Sequence, residues 1–489
     1  MKLIEIMTGV ACADFDGEAD VCDIAYDSRA AKPGAIFVAL RGVQDGHAFC
    51  ADAYRRGCRL FAVEYRPADL PDDAVTVVCE NTRRALSRMS ANFFRHPDRE
   101  VRVVGITGTN GKTTLTYLLK STFDTAGYPS GLIGTNGAVY GGKHYPTVNT
   151  TPQSYEMFRL LREMADAGCR YAFVEASSLG IQQERVSDIH FYAAVFTNFS
   201  PDHVGGHEHK TIEEYLACKL QLFKQCDFAV LNRDDAQYPA FRAACDCETA
   251  SFGSSPDADY IADEVEPVKE AGTFGVRFLC RHNGESSRVF VSMPGRFSAD
   301  NALVAFALCE RCGISPEAAR EALAEAGAPG RLEHFALPNG ADVFLDYAHN
   351  GGAVANVLAV LREYPHDRLI AVIGCVGGRA QIRRRGVAEA CAAGADMTYF
   401  TADDPNFEDP AAICDEVAGY CRDAGGVCVE EPDRATAVQT ALGGTHAGDF
   451  VVLLGKGHET AQKICGELVP YSDVEQIELF RRSLQTAEV

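Results

Sequence analysis

Short, almost wholly apolar runs recur along the chain. They include AIFVAL (35–40), LFAVEY (60–65), VRVVGI (101–106), RYAFVE (170–175), AAVFT (193–197) and FAVL (228–231), and later VFLDYA (343–348), LIAVIG (369–374), MTYFTA (397–402) and FVVLLG (450–455). Brief runs of this kind predict strands buried on both faces. Between them apolar residues fall at three- and four-residue spacing, predicting helices at about 48–57, 112–126, 299–312, 316–326, 353–363, 384–394 and 410–423. Residues 260–292 hold shorter alternating runs and predict a hairpin. Regular strand–helix alternation implies an α/β fold with parallel sheets. The polar stretch HPDRE (96–100) reads as a linker, and GAPG (327–330) as a turn. The resulting division is a small N-terminal α/β domain (1–98), a central domain with a parallel-sheet core (99–329) and a C-terminal Rossmann-like domain (330–489).

Composition narrows the class. Of 489 residues, 47% are apolar and 23% charged, which fits a folded protein and excludes global disorder, collagen and coiled coil. Lys and Arg number 46 against 68 Asp and Glu, a net charge of −22 that disfavours nucleic acid or an anionic membrane as main partner. The 19 cysteines are scattered, so reduced and mostly buried thiols are expected. Cys309 and Cys312 form the sole CxxC, inside an apolar run, and read as one helix face rather than a metal site. No apolar stretch approaches the roughly 20 residues of a membrane span, and the opening MKLIEIMTG carries Glu5, so a cytoplasmic protein is expected.

The strongest chemical signal is Gly105 to Thr114, between a buried strand and a helix. There Gly108, Thr109, Asn110, Gly111, Lys112, Thr113 and Thr114 form a phosphate loop: backbone N–H groups face phosphate oxygens, Lys112 reaches the outer phosphates and the Thr113 hydroxyl suits Mg²⁺. Ile106 stands where the usual first glycine of such loops would be. The loop implies a nucleoside triphosphate and leaves kinase, ligase, switch and motor open.

TGTNGKTT resembles the ATP loop of the Mur ligases, and further landmarks follow in order: AspSerArg (27–29), AsnThrThrPro (149–152), GluAlaSerSer (175–178), ThrAsnPheSerProAspHis (197–203), Lys219, AsnAla (301–302), GlyArgLeuGlu (330–333), AspTyrAlaHisAsn (346–350) and GlyLysGlyHisGlu (455–459). This order is similar to the MurE branch, which adds the third residue to UDP-N-acetylmuramoyl-L-Ala-D-Glu. The resemblance implies a cytoplasmic, monomeric peptidoglycan-precursor ligase that converts a substrate carboxylate to an acyl phosphate with ATP and Mg²⁺. It implies that the three domains bind the UDP-sugar, ATP and the amino acid in chain order. Lys112, Glu175, His203 and Lys219 match the catalytic set, with Thr113, Glu175, His203 and a carbamylated Lys219 around metal. Asn301, Arg331 and Asp346 resemble further ATP contacts, the last two from a domain that closes over the nucleotide. Ser28, Thr150, Thr151, Ser177, Gln183 and Arg185 resemble contacts to the nucleotide-sugar peptide. Leu179 departs from the family, which often has His there.

For the incoming amino acid the resemblance points to Arg379, Asp403, Asp404, Asn406, Gly455 and Glu459. Diaminopimelate-adding relatives carry Arg where this chain has Asn406. With Asp403, Asp404, Glu408 and Asp409 crowding the segment, an acidic pocket for the ammonium of L-lysine is expected, with meso-diaminopimelate as the alternative. Arg383, Arg384 and Arg385 are the counter-signal, since they could supply a carboxylate partner. A reading of another class, an inactive ATP-binding sensor of cell-wall precursors, has only Leu179 in its favour.

Overall fold

The computed structural model describes residues 1–42, 44–200, 209–270, 272–378 and 381–487. The chain divides into two compact units, Met1–Tyr260 with Phe306–Ser315, and Ile261–Ala305 with Pro316–Val489.

The first unit opens with a parallel sheet, β1 (Asp23–Ala25), β2 (Ala35–Val38), β3 (Leu60–Val63) and β4 (Val75–Val78), in that order. The helix Thr82–Phe93 buries Ala85, Leu86 and Met89 in the same apolar cluster as Ile36, Val38 and Ala62. It starts where Asn81 accepts the N–H groups of Arg83 and Arg84. Eight strands follow: β5 (Arg102–Thr107), β6 (Ser130–Gly134), β7 (Gly137–Tyr140), β8 (Lys143–Tyr145), β9 (Tyr171–Glu175), β10 (Phe191–Phe196), β11 (Phe228–Asn232) and β12 (Glu248–Gly253). Their order is β12-β11-β10-β5-β9-β6-β7-β8, parallel from β12 to β6 and antiparallel beyond. Central β5 is apolar because both faces are covered, and Val103, Val104 and Ile106 are fully buried. Each such side chain contributes about 1.5–3 kcal/mol. Strand order reverses around β5, so its carboxyl end is a switch point of the kind where open α/β sheets bind ligands. The register sets Ile106 beside Glu175 and Thr107 beside Phe196.

Residues 96–100 are not a free linker. They form the turn Pro97–Arg99, Pro97 and Asp98 are buried, and Asp98 accepts the His190 N–H at 3.1 Å. That buried acceptor outweighs the polar composition that suggested a tether.

In the second unit, β13 (Tyr260–Glu270) precedes the hairpin β14 (Thr273–His282) and β15 (Glu285–Val291), which pairs Val276 with Val291. A six-stranded sheet follows, from β16 (Glu333–Ala336), β17 (Asp342–Asp346), β18 (Leu369–Cys375), β19 (Met397–Ala402), β20 (Cys428–Glu430) and β21 (Phe450–Leu454). Its order is β16-β17-β21-β18-β19-β20, parallel except for the edge strand β16. Apolar clusters lie on both faces, one around Val354, Leu358 and Val387 and one around Val438, Leu442 and Ile477. This is the doubly wound arrangement the alternation predicts. A small hairpin, β22 (Ala461–Ile464) and β23 (Glu467–Pro470), was not visible in the pattern because β23 is exposed throughout. Cys309 and Cys312 lie on the helix Phe297–Cys312, as expected. Among the described residues no helix is long and apolar enough to cross a membrane.

Candidate functional site

The phosphate loop sits at the carboxyl end of β5. Gly111 takes φ 85° and precedes the helix Lys112–Thr125 without a side-chain cap, the kind of helix start that receives an anion. A Cβ on Gly108 would lie 1.9 Å from Thr197 Oγ1, so the close approach requires glycine. The segment after β10 fixes the loop: Asn110 N–H donates to Asn198 Oδ1 (2.9 Å), Thr197 Oγ1 donates to the Asn110 carbonyl (2.8 Å), and Ser200 N–H donates to Thr109 Oγ1 (3.0 Å). Lys112 Nζ donates to the carbonyls of Gly108 (2.9 Å) and Thr109 (3.0 Å). Thr113 and Thr114 are buried on the first helical turn.

Glu175, at the end of β9, is buried and accepts from Thr113 Oγ1 (3.0 Å), the Thr135 N–H (3.0 Å) and Thr135 Oγ1 (3.1 Å). Gly134 makes room for it, since a Cβ there would meet Glu175 Oε1 at 2.0 Å. Lys219 lies on the helix Ile212–Leu220, whose first turn is capped by Thr211. A lysine at such a position is ordinarily solvated, yet this one is 1% exposed; its Nζ donates to Gly108 O at 2.8 Å and sits 4.5 Å from the Tyr215 ring centre. Burial, and then the charge of Lys112, pulls its ammonium well below the ordinary lysine range. His203 lies outside the described residues.

Five residues matched to the nucleotide-sugar peptide gather beside Glu175. Thr150 Oγ1 is 3.1 Å from Thr135 Oγ1, and Thr151 Oγ1 donates to the Glu175 carbonyl (2.7 Å) and meets Ser177 Oγ at 2.9 Å. Arg185 donates to Thr151 O (2.6 Å) and Gln183 Oε1 (2.7 Å). Ser28 lies apart, buried in the N-terminal sheet domain on the turn Ser28–Ala30. A second guanidinium, Arg83, donates to Gln183 Oε1 at 3.3 Å. Burial, then Arg83, pulls Arg185 down to about 10. Two cations converging on one neutral amide suit an anionic ligand. Nothing in the spacing flagged Arg83, because it comes from a helix of the first domain.

The second unit holds the remaining matches. Asn301 is buried on the helix Phe297–Cys312. Asp346 ends β17 and accepts the N–H groups of Leu332 (2.9 Å) and Ala348 (2.8 Å). Burial raises its carboxyl above the ordinary range despite nearby Arg331, whose guanidinium lies 5.0 Å from the Tyr347 ring centre.

Asp403 and Asp404, after β19, meet Glu459 around Lys456, a fully buried residue of the GlyLysGlyHisGlu segment to which the resemblance gives no role. Lys456 Nζ lies 3.3 Å from Asp403, 2.8 Å from Asp404 and 2.7 Å from Glu459. Burial pulls its ammonium down, but the three carboxylates more than offset this and hold it above the ordinary range. Gly455 takes φ 102° and passes so close that a Cβ would lie 3.2 Å from Asp403 Oδ2. The remaining acids are also engaged. Glu408 accepts from Arg384 (2.8 and 2.6 Å) and the Gly378 N–H, which hold it down at about 2. Asp409 caps the helix Pro410–Asp423. The acidic crowd read as an ammonium pocket is therefore largely an internal ion-pair system. Two of the three arginines of the run are engaged as well: Arg384 also pairs with Glu416, and Arg385 with Glu389. Arg379 lies outside the described residues.

Asn406 takes φ 52°, a left-handed conformation Asn tolerates. Its N–H donates to Lys463 O (2.9 Å), its carbonyl accepts the Cys465 N–H (2.6 Å), and Oδ1 accepts the Gly466 N–H (3.1 Å). The hairpin β22–β23 thus orients the carboxamide. Turned the other way, it would set donor against donor, so Oδ1 is the atom on Gly466 and Nδ2 is turned away from it.

A phosphate loop at the switch point of one sheet, with a doubly wound sheet in the other unit, is the architecture of a nucleotide-binding α/β protein. Residues 106–309 match the Mur ligase middle domain, and residues 330–457 the Mur ligase, glutamate ligase domain. UDP-N-acetylmuramoyl-L-alanyl-D-glutamate–2,6-diaminopimelate ligases are similar over nearly the whole chain. That of Chlorobaculum tepidum is 37% identical, covering 97% of this chain and 92% of its own. That of Geobacillus thermodenitrificans is 34% identical, covering 94% of each. A solved structure of a ligase with the same name is 26% identical, with TM-score 0.71 and 99% of each chain covered. MurF from Acinetobacter baumannii shares the fold, at 18% identity and TM-score 0.64, with 98% of each chain covered. The chain belongs to the Mur ligase family of ATP-dependent, amide-bond-forming enzymes, and within it to the MurE type.

Proposed function

We propose that this protein joins the third-position amino acid to the D-Glu of UDP-N-acetylmuramoyl-L-Ala-D-Glu, and that the amino acid is meso-diaminopimelate. The names of the relatives favour this alternative over lysine. The observation that carries it is the orientation of Asn406. Its oxygen is held by Gly466, so the group it offers is a donor, which suits the distal carboxylate of diaminopimelate and not the ammonium of lysine. The pairing of Asp403, Asp404 and Glu459 with Lys456 removes the main argument for an ammonium pocket.

The roles follow the geometry. Loop N–H groups and Lys112 receive the ATP phosphates, with Asn301, Arg331 and Asp346 as further nucleotide contacts. The D-Glu carboxylate attacks the γ-phosphoryl group, giving an acyl phosphate and ADP. The amine of the amino acid then attacks the acyl carbon and phosphate leaves. Thr113 and Glu175 are hard oxygen donors 3.0 Å apart, a set that fits Mg²⁺. When bound, the ion neutralises charge on the phosphoryl oxygens. Glu175 holds Thr113 and Thr135 in place, while Ser28, Thr150, Thr151, Ser177, Gln183 and Arg185 hold the nucleotide-sugar peptide. We assign Arg379, Asp403, Asp404, Asn406, Gly455 and Glu459 to the amino acid, and His203 to metal.

Lys219 is suited to carbamylation. Burial and Lys112 favour its neutral amine, which attacks CO₂ and loses a proton to become an anion. That change sets an anion beside the Lys112 ammonium and adds a metal-binding oxygen. The substrates are soluble precursors, so we place the reaction in the cytoplasm, carried out by a monomer with segments 1–98, 99–329 and 330–489 serving the sugar nucleotide, ATP and amino acid.

The test is Asn406→Asp, which keeps an acceptor for Gly466 and tolerates the same φ but replaces the donor with an anion. Its kcat/KM for meso-diaminopimelate should fall by about 10²-fold relative to that for L-lysine, the scale of an unpaired buried charge. An unchanged ratio contradicts the assignment.

A further inference from the structure

Asn136 lies in the two-residue turn that joins β6 to β7, at the carboxyl edge of the parallel sheet. It is 4% exposed. Among the described residues it is the one carboxamide whose nitrogen and oxygen are both buried without a hydrogen-bond partner. Leaving a buried polar group unpaired is costly, and native folds seldom do so without a use for it.

The surroundings point to that use. Its neighbour Thr135 bonds Glu175 through both its N–H and its hydroxyl, and reaches Thr150 Oγ1 at 3.1 Å. The segment after β8 folds back over the same turn: Thr147 Oγ1 donates to Gly134 O at 3.1 Å, and the His144 ring nitrogen bonds the Asn136 carbonyl at 2.6 Å. The backbone of the turn is thus held from two sides, while the carboxamide is left over. Glu175 and Thr150 belong to the set assigned above to metal and to the nucleotide-sugar peptide.

We propose that Asn136 is a substrate-binding residue that grips a peptide group of the acceptor, Nδ2 donating to its carbonyl and Oδ1 accepting its N–H. An unfilled donor and an unfilled acceptor on one planar carboxamide are complementary to a secondary amide, which presents one of each. Phosphate or a carboxylate would fill only the donor, and an ammonium only the acceptor. The inference rests on the reading that the acceptor is a nucleotide sugar bearing a dipeptide. Gripping its peptide unit would align the carboxylate at the chain end with the phosphoryl group.

The experiment compares wild type with Asn136→Leu, similar in size but apolar, and with Asn136→Ala in case leucine does not fit. Melting temperature, binding of UDP-N-acetylmuramoyl-L-Ala-D-Glu without ATP by titration calorimetry, and KM for each substrate are measured. The expected result is a melting temperature equal to or above wild type, at least about 10-fold weaker binding of the nucleotide-sugar dipeptide with a matching rise in its KM, and an unchanged KM for ATP. Unchanged affinity for the nucleotide-sugar dipeptide in a folded variant overturns the proposal and leaves Asn136 a site for ordered water. A variant with lower melting temperature and KM values raised equally for all substrates also overturns it, as a structural role. Wild type that fails to bind the nucleotide-sugar dipeptide at all overturns the functional reading itself, a result distinguishable because no variant is involved.

Discussion

Lys112 and Lys219 donate to one and the same acceptor, the carbonyl oxygen of Gly108, at 2.9 and 2.8 Å. Two ammonium groups on a single buried oxygen repel each other, and burial together with the charge of Lys112 pulls Lys219, nearly without exposure, well below the ordinary lysine range. Its neutral amine is the form that is nucleophilic toward CO₂. Lys219→Met removes the buried amine while keeping an unbranched apolar stem. The variant should melt no lower than wild type and lose at least about 10²-fold in kcat, the scale of a lost electrostatic contact at a charged transition state. Turnover near wild type would rule out a role for this residue in the reaction.

Thr113 and Glu175 meet at 3.0 Å while Thr135 supplies two further donors to the same carboxylate. Thr113→Val therefore leaves Glu175 oriented and deletes one oxygen ligand. The Mg²⁺ concentration for half-maximal turnover should rise by about 10-fold, or about 1.4 kcal/mol, with little change in melting temperature. An unchanged Mg²⁺ requirement would take Thr113 out of the metal site.

Burial pushes the Asp403 carboxyl up to about 6 from 3.8, although Lys456 opposes the shift. Between those values the folded chain holds a proton that the unfolded chain has released. The folded state therefore binds more protons, and its stability declines as pH rises through that window. Asp403→Asn abolishes this dependence. The melting temperature of wild type relative to the variant should fall from pH 4 toward pH 6 and level off above. A relative rise over the same range would contradict the assignment.

Much of this was legible in the residues. Buried strands announce themselves by unbroken apolar runs, and the phosphate loop by glycines before Lys112, because only such sequences suit those conformations. What stayed hidden depends on partners distant in the chain. Lys219 reads as a surface lysine until Gly108, 111 residues away, is seen to accept its proton donor. Lys456 carries no pattern of its own, and only the fold brings Asp403 and Asp404 to it. The acidic segment read as a lysine pocket because a sequence counts charges without showing that Arg384 and Lys456 already answer them. Asn136 is silent for the same reason: an unpaired carboxamide is a property of its surroundings.

Lys456 is fully buried among Asp403, Asp404 and Glu459. Lys456→Met would leave the carboxylates facing one another without a counter-charge. Denaturant unfolding should show a loss of about 3–5 kcal/mol, the cost of breaking a buried pair from one side, with partial recovery in Lys456→Arg. A loss under about 1 kcal/mol would mean that the cluster is solvated and free to receive an ammonium, which would revive the lysine reading.

The most direct test of the account is phosphate release by the wild-type protein with ATP, Mg²⁺ and UDP-N-acetylmuramoyl-L-Ala-D-Glu, comparing meso-diaminopimelate with L-lysine. The donor offered by Asn406 predicts turnover with meso-diaminopimelate and little with lysine. Turnover with lysine alone would contradict it and return the pocket to its acidic residues.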